Sequence, residues 1–244
     1  MSLLELQNVN VNYNGKPALE SVSVSIAEAE LVSVIGPNGS GKSTLFKAIL
    51  NLVDYSGEIK FKGKSTKNHF NKIGYMPQRN DVDVNFPITV REVVEQSQLG
   101  KKFSSRKVNK AIKDVQLEGL EDSNISQLSG GQLQRVFLAR ALAQDSDLII
   151  LDEPFSNTDL VAEESLIVLI KELVKEGKTV LISTHDLKQA QEISTKLILL
   201  NKTIICYGNP KEVCSKQHLL ETFRQNILIS SDTGEITLSD HHHH

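Results

Sequence analysis

Little in the composition marks this chain out for a special environment. Its 244 residues contain two cysteines, Cys206 and Cys214, with no CxxC spacing. That disfavours both a disulfide framework and a thiolate metal site, and reduced thiols packed near the surface are expected. Long hydrophobic runs are lacking: stretches such as LIIL and LILL fall far short of the ~20 residues needed to cross a bilayer. The N-terminus shows no charged-then-apolar leader pattern, so a soluble, cytoplasmic chain is expected. A basic excess is lacking too. Against 27 Lys and Arg stand 30 Asp and Glu, a net charge of -3 with an isoelectric point near 6.2, and this balance suggests no nucleic-acid partner. No internal repeat, heptad run or low-complexity tract is present. The closing HHHH, residues 241–244, reads as the remnant of a purification tag, which leaves His69, His185 and His218 to reason from.

What remains is ordinary for a globular protein, 39% hydrophobic and 23% charged. The length suits one sizeable core, or one core with an attached subdomain, and residues 1–240 are expected to form a single domain. Residues 3–35 begin with period-two alternation (LELQNVNVNY, then LESVSVSI) around NGKP, in which Asn14-Gly15 is a strong hairpin signal. Antiparallel strands are predicted there. LVSVIG is a short continuous apolar run ending in glycine, as in a strand buried on both faces of a parallel sheet. DLIIL and TVLIST have the same form. Between them Leu166, Leu169, Ile170 and Leu173 recur at helical spacing up to Glu176 and Gly177. Strand, helix, strand predicts an α/β core. Residues 79–145 carry helical periodicity instead, with Val108, Ile112 and Val115 on one face, and read as a mostly helical insertion.

GPNGSGKST, residues 36–44, matches GxxxxGK[ST] between an apolar strand and the helix-like TLFKAIL, the context this phosphate-loop motif requires. In the loop Gly36, Pro37, Asn38, Gly39, Ser40 and Gly41 the glycines would let successive N–H groups curl around an anion, Pro37 alone having none to give, and the helix N-terminus adds partial positive charge. Lys42 would reach the β- and γ-phosphates, Ser43 would ligate Mg2+, and Thr44 would add a phosphate contact. LIILDEP supplies the second arm that such a site needs, at the carboxyl end of a buried strand. Asp152 would hold Mg2+ through water, and Glu153 would polarise the hydrolytic water as general base. Alone, an Asp-Glu pair more often caps a helix; beside a phosphate loop it reads as functional. TVLISTHD puts His185 at the end of another buried strand, within reach of a γ-phosphate, the alternative being a histidine packed beside the helix cap Asp186. IGYMPQ places Gln78 where it can report on Mg2+ and water.

LSGGQLQRVFLARAL, residues 128–142, opens a helix with two adjacent glycines. Gly130 and Gly131 would each cost roughly 1 kcal/mol relative to alanine inside a helix, so folding alone gives little reason for the pair. Ser129 and Gln132 fit the capping box S-x-x-Q, which puts both glycines in a first helical turn whose bare backbone can face an anion. That anion is either a second one for this chain or the γ-phosphate held by another copy.

The phosphate loop, Gln78, LSGGQ (128–132), LIILDE (148–153) and His185 stand in the order and approximate spacing of the ATP-binding-cassette (ABC) ATPases, which the chain resembles over roughly residues 3–215. LSGGQ is that family's signature. The resemblance implies an α/β fold of the ABC-type P-loop NTPase kind. It comprises a RecA-like parallel-sheet core, an N-terminal antiparallel β subdomain and an inserted α-helical subdomain at about 79–145. It implies ATP and Mg2+ as cofactors and a head-to-tail homodimer, in which Ser129, Gly130, Gly131 and Gln132 of one copy close on the ATP of the other. It assigns Tyr13 to stacking on adenine, against a plain strand aromatic, and Asp159 to the loop joining the two sites. Many members carry small or apolar residues where Asn157 and Thr158 stand.

One free-standing cassette, without fused membrane helices, a tandem second cassette or a coiled-coil insertion, is similar to the importer subunits of the family. PQRNDVDVNFPITVREVV (77–94) looks like the cassettes that energise uptake of manganese, zinc or iron, and Phe155 in DEPF is common there. The likeness implies permease partners, an extracellular or periplasmic solute-binding protein, and a peripheral place on the inner face of the membrane. Phe86, Pro87 and Ile88 become candidates for permease contact, with a hydrophobic plug under a loop as the alternative. An importer of another small substrate, such as a metal chelate, or a non-transport ATPase switch are the competing functions. Residues 216–240 read as a structural appendage with a hairpin around Thr233-Gly234.

Overall fold

The computed structural model describes residues 2–66, 72–78, 86–100, 102–156 and 159–223, and the backbone of 227–229 and 236–238. The alternating N-terminal segment forms β1 (Ser2–Tyr13) and β2 (Lys16–Ala27), paired antiparallel down to Tyr13 opposite Lys16. The turn between them is Asn14-Gly15, both at positive φ (50° and 78°), as a two-residue hairpin requires. β3 (Leu31–Ile35) is buried at every position and leads into α1 (Lys42–Ile49). β4 (Ser56–Phe61), which the alternation analysis did not single out, pairs antiparallel with β1, and β5 (Lys64–Ser65) completes a four-stranded sheet in the order β2-β1-β4-β5.

After β6 (Ile73–Met76) come, among the described residues, three α-helices, α2 (Val90–Glu95), α3 (Ser105–Asp114) and α4 (Gly130–Ala143), before the chain returns to sheet at β7 (Leu148–Asp152). The helical reading of this stretch holds from Val90 onward, and residues 79–85 lie outside the described residues. Val108, Ile112 and Val115 are buried together as their spacing predicts. α5 (Leu160–Lys175), β8 (Thr179–Thr184), α6 (Leu187–Ile193), β9 (Lys196–Asn201) and β10 (Thr203–Gly208) complete a six-stranded sheet, β10-β9-β3-β8-β7-β6. Its strands run parallel except β10, which returns antiparallel beside β9.

The continuous apolar runs follow from burial on both faces. In β7, Leu148 and Ile150 join the core under the antiparallel sheet, with Leu6, Val24 and Phe61, while Ile149 and Leu151 join the core under α2, α3, α4 and α5, with Val94, Ile112, Val136 and Ile170. A strand sandwiched this way has no polar face to alternate with. α7 (Pro210–Val213) and α8 (Lys216–Phe223) cover the β9 end of the sheet, where Val213, Leu219 and Phe223 pack on Leu197 and Leu199. The first part of the 216–240 segment is therefore a helix with a structural role, packed on the sheet. Beyond it β11 (Ile227–Ile229) pairs antiparallel with β12 (Ile236–Leu238), and the Thr233-Gly234 turn lies outside the described residues.

Candidate functional site

Four neighbouring strands, in spatial order β3-β8-β7-β6, end along one edge of the sheet. Each hands over to residues singled out from sequence. β3 runs into loop 36–41, β8 into His185, β7 ends on Asp152 with Glu153 next, and Gln78 follows β6. Ligands of open α/β sheets collect at this edge.

Gly41 caps α1 at φ 100°, a left-handed conformation that glycine adopts without strain. Among the described residues no side chain caps that helix, so its first amides and its positive end suit an anion. Gly36 and Ser40 are buried, Asn38 and Gly39 exposed, and Pro37, Ser43 and Thr44 lie between. Lys42 is 7% exposed, and its Nζ donates to the carbonyls of Gly36 (2.7 Å) and Pro37 (3.2 Å). Burial pushes its ammonium below the usual lysine range, while the nearby Glu153 and Asp152 carboxylates work against that shift.

Asp152 is 1% exposed. The Ser183 hydroxyl donates to its Oδ1, whereas its Oδ2 is buried with no hydrogen-bond partner among the described residues. A buried carboxylate oxygen left so is costly unless a cation meets it, and with the Ser43 hydroxyl this donor set fits Mg2+. Glu153 takes φ 51°, a rare conformation for a residue with a side chain. Its N–H donates to Ser183 Oγ (2.8 Å), and Gln78 Nε2 donates to its carboxylate (3.1 Å). Gln134 Nε2 donates to the carbonyls of Glu153 (3.1 Å) and Pro154 (2.9 Å). Glu153 and the exposed His185 line one cavity of about 200 Å³ with Phe155, Thr184 and Gln189. Asp186 caps α6, as the alternative reading of this loop expected, and His185 stays free of that role.

Ser183 and Gln134 are the contacts that sequence reasoning missed. The signals were there, a hydroxyl inside a buried apolar strand and an amide on a buried helix face. Neither announces which partner it meets.

The signature segment behaves as its capping box predicts. Ser129 Oγ accepts from Gln132 N–H (3.3 Å) and Gln132 Oε1 accepts from Ser129 N–H (2.9 Å). A Cβ added at Gly131 would meet nothing within 4 Å. Gly131 lines a groove with Gln134 and Leu138 of α4 and Leu166 of α5, and none of residues 36–44 lines it. LSGGQ and the chain's own phosphate loop do not share this groove.

Tyr13 ends β1 at 44% exposure. Asp159 caps α5, accepting from Ala162 N–H at 2.8 Å, and the adjacent Leu160 and Val161 are 79% and 74% exposed. Asn157 and Thr158 lie outside the described residues. Of the three candidates for permease contact, Phe86 and Pro87 are exposed, whereas Ile88 packs onto the helical core as a plug does. Phe155 packs on the same core. Cys206 and Cys214 are free thiols, and burial pushes Cys214 up. Among the described residues no group of three or more metal-binding side chains forms, and no helix is long and apolar enough to cross a membrane.

The sequence model of the family described as "ABC transporter" matches residues 19–156. The manganese transport system ATP-binding protein MntB of Bacillus subtilis (strain 168) is 40% identical over 94% of this chain and 95% of its own length. The zinc transport system ATP-binding protein TroB of Treponema pallidum (strain Nichols) is 40% identical over 92% and 88%. Among solved structures, the dimeric post-hydrolysis state of the ATP-binding cassette MJ0796, bound to ADP and Pi, superposes with a TM-score of 0.77 at 30% identity, covering 85% of this chain and 98% of that one. With its phosphate loop, its Asp152-Glu153 arm and its LSGGQ helix on one α/β frame, the chain belongs to the ABC transporter family and is an ATP-binding, ATP-hydrolysing subunit of it.

Proposed function

We propose that this chain energises a membrane importer of transition-metal cations, manganese, zinc or iron, through ATP-driven head-to-tail pairing of two copies. The observation that carries the catalytic half is the Glu153 carboxylate, held by Gln78 beside buried Asp152 on the strand edge that carries the phosphate loop. The import half is supported by likeness to the manganese and zinc system proteins.

On this reading residues 1–240 work as one nucleotide-binding domain, with α2 and α3 in its helical subdomain. Tyr13 stacks on adenine, the amides of loop 36–41 and Thr44 hold phosphate oxygens, and Lys42 adds a point charge. Ser43 and, through water, Asp152 would hold Mg2+, with Gln78 reporting on the metal and its water, and the ion supplies charge neutralisation on the β- and γ-phosphates when bound. Glu153 accepts a proton from the attacking water, and His185 bonds the γ-phosphate. Ser129 with the amides of Gly130 and Gly131 clamps that phosphate from the other copy; Gln132 serves through the cap, and Asp159 lies between the two sites. Exposed Phe86 and Pro87 meet the permease at the inner membrane face, and a solute-binding protein delivers the cation outside. The cation itself passes through the permease and touches no residue of this chain.

The test is elemental analysis of cells of the source organism under metal limitation, with the native chain or Lys42→Ala. Loss of one metal establishes import and names the cargo. Unchanged manganese, zinc and iron would overturn the metal reading in favour of another substrate.

A further inference from the structure

Gln134 lies on α4, five residues beyond the N-cap Ser129, and is 8% exposed. A primary amide offers two N–H donors, and this one reaches two successive carbonyls, Glu153 O at 3.1 Å and Pro154 O at 2.9 Å. The peptide units it grips need holding, because Glu153 sits at φ 51°, where a residue with a side chain rarely rests unless its surroundings over-determine it. The other ties are local or come from β8: Ser183 Oγ accepts the Glu153 N–H at 2.8 Å, and Ser156 Oγ donates to the Glu153 carbonyl at 2.9 Å. Gln134 is therefore the tie that reaches this turn from the signature helix.

We infer that Gln134 is a positioning residue for Glu153. By fixing the peptide that follows the glutamate it aims the carboxylate at Gln78 Nε2, 3.1 Å away, and into the cavity shared with His185. It also makes the helix that carries Ser129, Gly130 and Gly131 at one end continuous with the base further along. A shift of that helix then changes the aim of the base, without any movement of the phosphate loop. The inference rests on the reading of Glu153 as general base.

The experiment compares the isolated full chain, Gln134→Met, Gln134→Glu and Glu153→Gln, by phosphate release across ATP concentrations with Mg2+ and by titration with a fluorescent ATP analogue. Methionine keeps the length and removes the donors. The expected result for Gln134→Met is a fall in kcat of at least fivefold, with KM and analogue affinity within twofold of the native chain. Gln134→Glu, which turns oxygens toward the two carbonyls, falls at least as far, and it carries the test if the methionine variant fails to fold. A smaller fall in kcat, or an equal loss of analogue affinity, overturns the inference, since a glutamine that only supports the fold would weaken both together. The control keeps the two readings apart. Turnover by Glu153→Gln would overturn the base itself, whereas an inactive Glu153→Gln beside an unimpaired Gln134→Met would overturn only the role of Gln134.

Discussion

Ser183 serves two neighbours with one oxygen, donating to Asp152 Oδ1 and accepting from the Glu153 N–H. Because Asp152 and Ser183 are buried and Glu153 partly so, Ser183→Ala leaves a carboxylate oxygen and an amide without this partner. The expected loss is about 1–3 kcal/mol, or roughly 2–4 °C of melting temperature per kcal/mol for a chain of this size. Calorimetry measures that loss, and a phosphate-release assay should show turnover falling with it. Residues of this kind set the limit of what could be read from the chain. Lys42, Asp152 and Glu153 were legible because their motifs carry chemistry within a few positions of each other. Ser183 and Gln134 act on partners 30 and 19 residues away, and only β7–β8 pairing and the lie of α4 create those contacts.

Asp145 joins two elements that the chain separates widely. It pairs with Lys107 of α3 at 2.9 Å and with Lys178, just before β8, at 3.0 Å, so it ties the helical stretch to the parallel sheet. Hydrogen bonds from Lys107 and Lys178 hold its carboxyl down to about 2, against an ordinary 3.8. A carboxyl depressed in the folded state adds stability that is present above about pH 4 and is lost as pH falls through about 2. Half the side chain is exposed, so water and salt screen the pairs and they are worth no more than about 1 kcal/mol. Asp145→Asn, which tolerates the same left-handed backbone (φ 52°), should lower the melting temperature by a few degrees at pH 7 and by progressively less as pH falls from about 4 toward 2, as thermal scans across pH would show. Elements were legible wherever periodicity was strong: the β1–β2 hairpin, the buried β3, β7 and β8, and α5. β4 escaped because its six residues bury only Ile59 and Phe61, both at its end, too little for an alternating signal. β9 is buried through its centre, but its parallel partner β3 lies some 160 residues earlier, beyond any local pattern.

Across the whole molecule, the phosphate loop does not line the groove that holds Gly131 of LSGGQ, as the proposed pairing of two half-sites requires. If ATP joins them between copies, pairing follows mass action. Glu153→Gln, which keeps the Gln78 contact but removes the base, should lose turnover by at least about 100-fold. With ATP and Mg2+ it should still accumulate as a dimer in light scattering, and a variant that stays monomeric would count against the pairing. Nothing in a single sequence displays such a partner except by an indirect sign such as the glycine pair, to which the structure adds exposed Leu160 and Val161.

Gly131 gives that sign its sharpest form. Alanine there would meet no neighbour within 4 Å, and in a helix it is favoured over glycine by up to about 1 kcal/mol. Gly131→Ala should therefore melt higher than the native chain and hydrolyse ATP more slowly. If the bare backbone at Gly131 serves a second copy, the most stable version of the monomer is not the one that works.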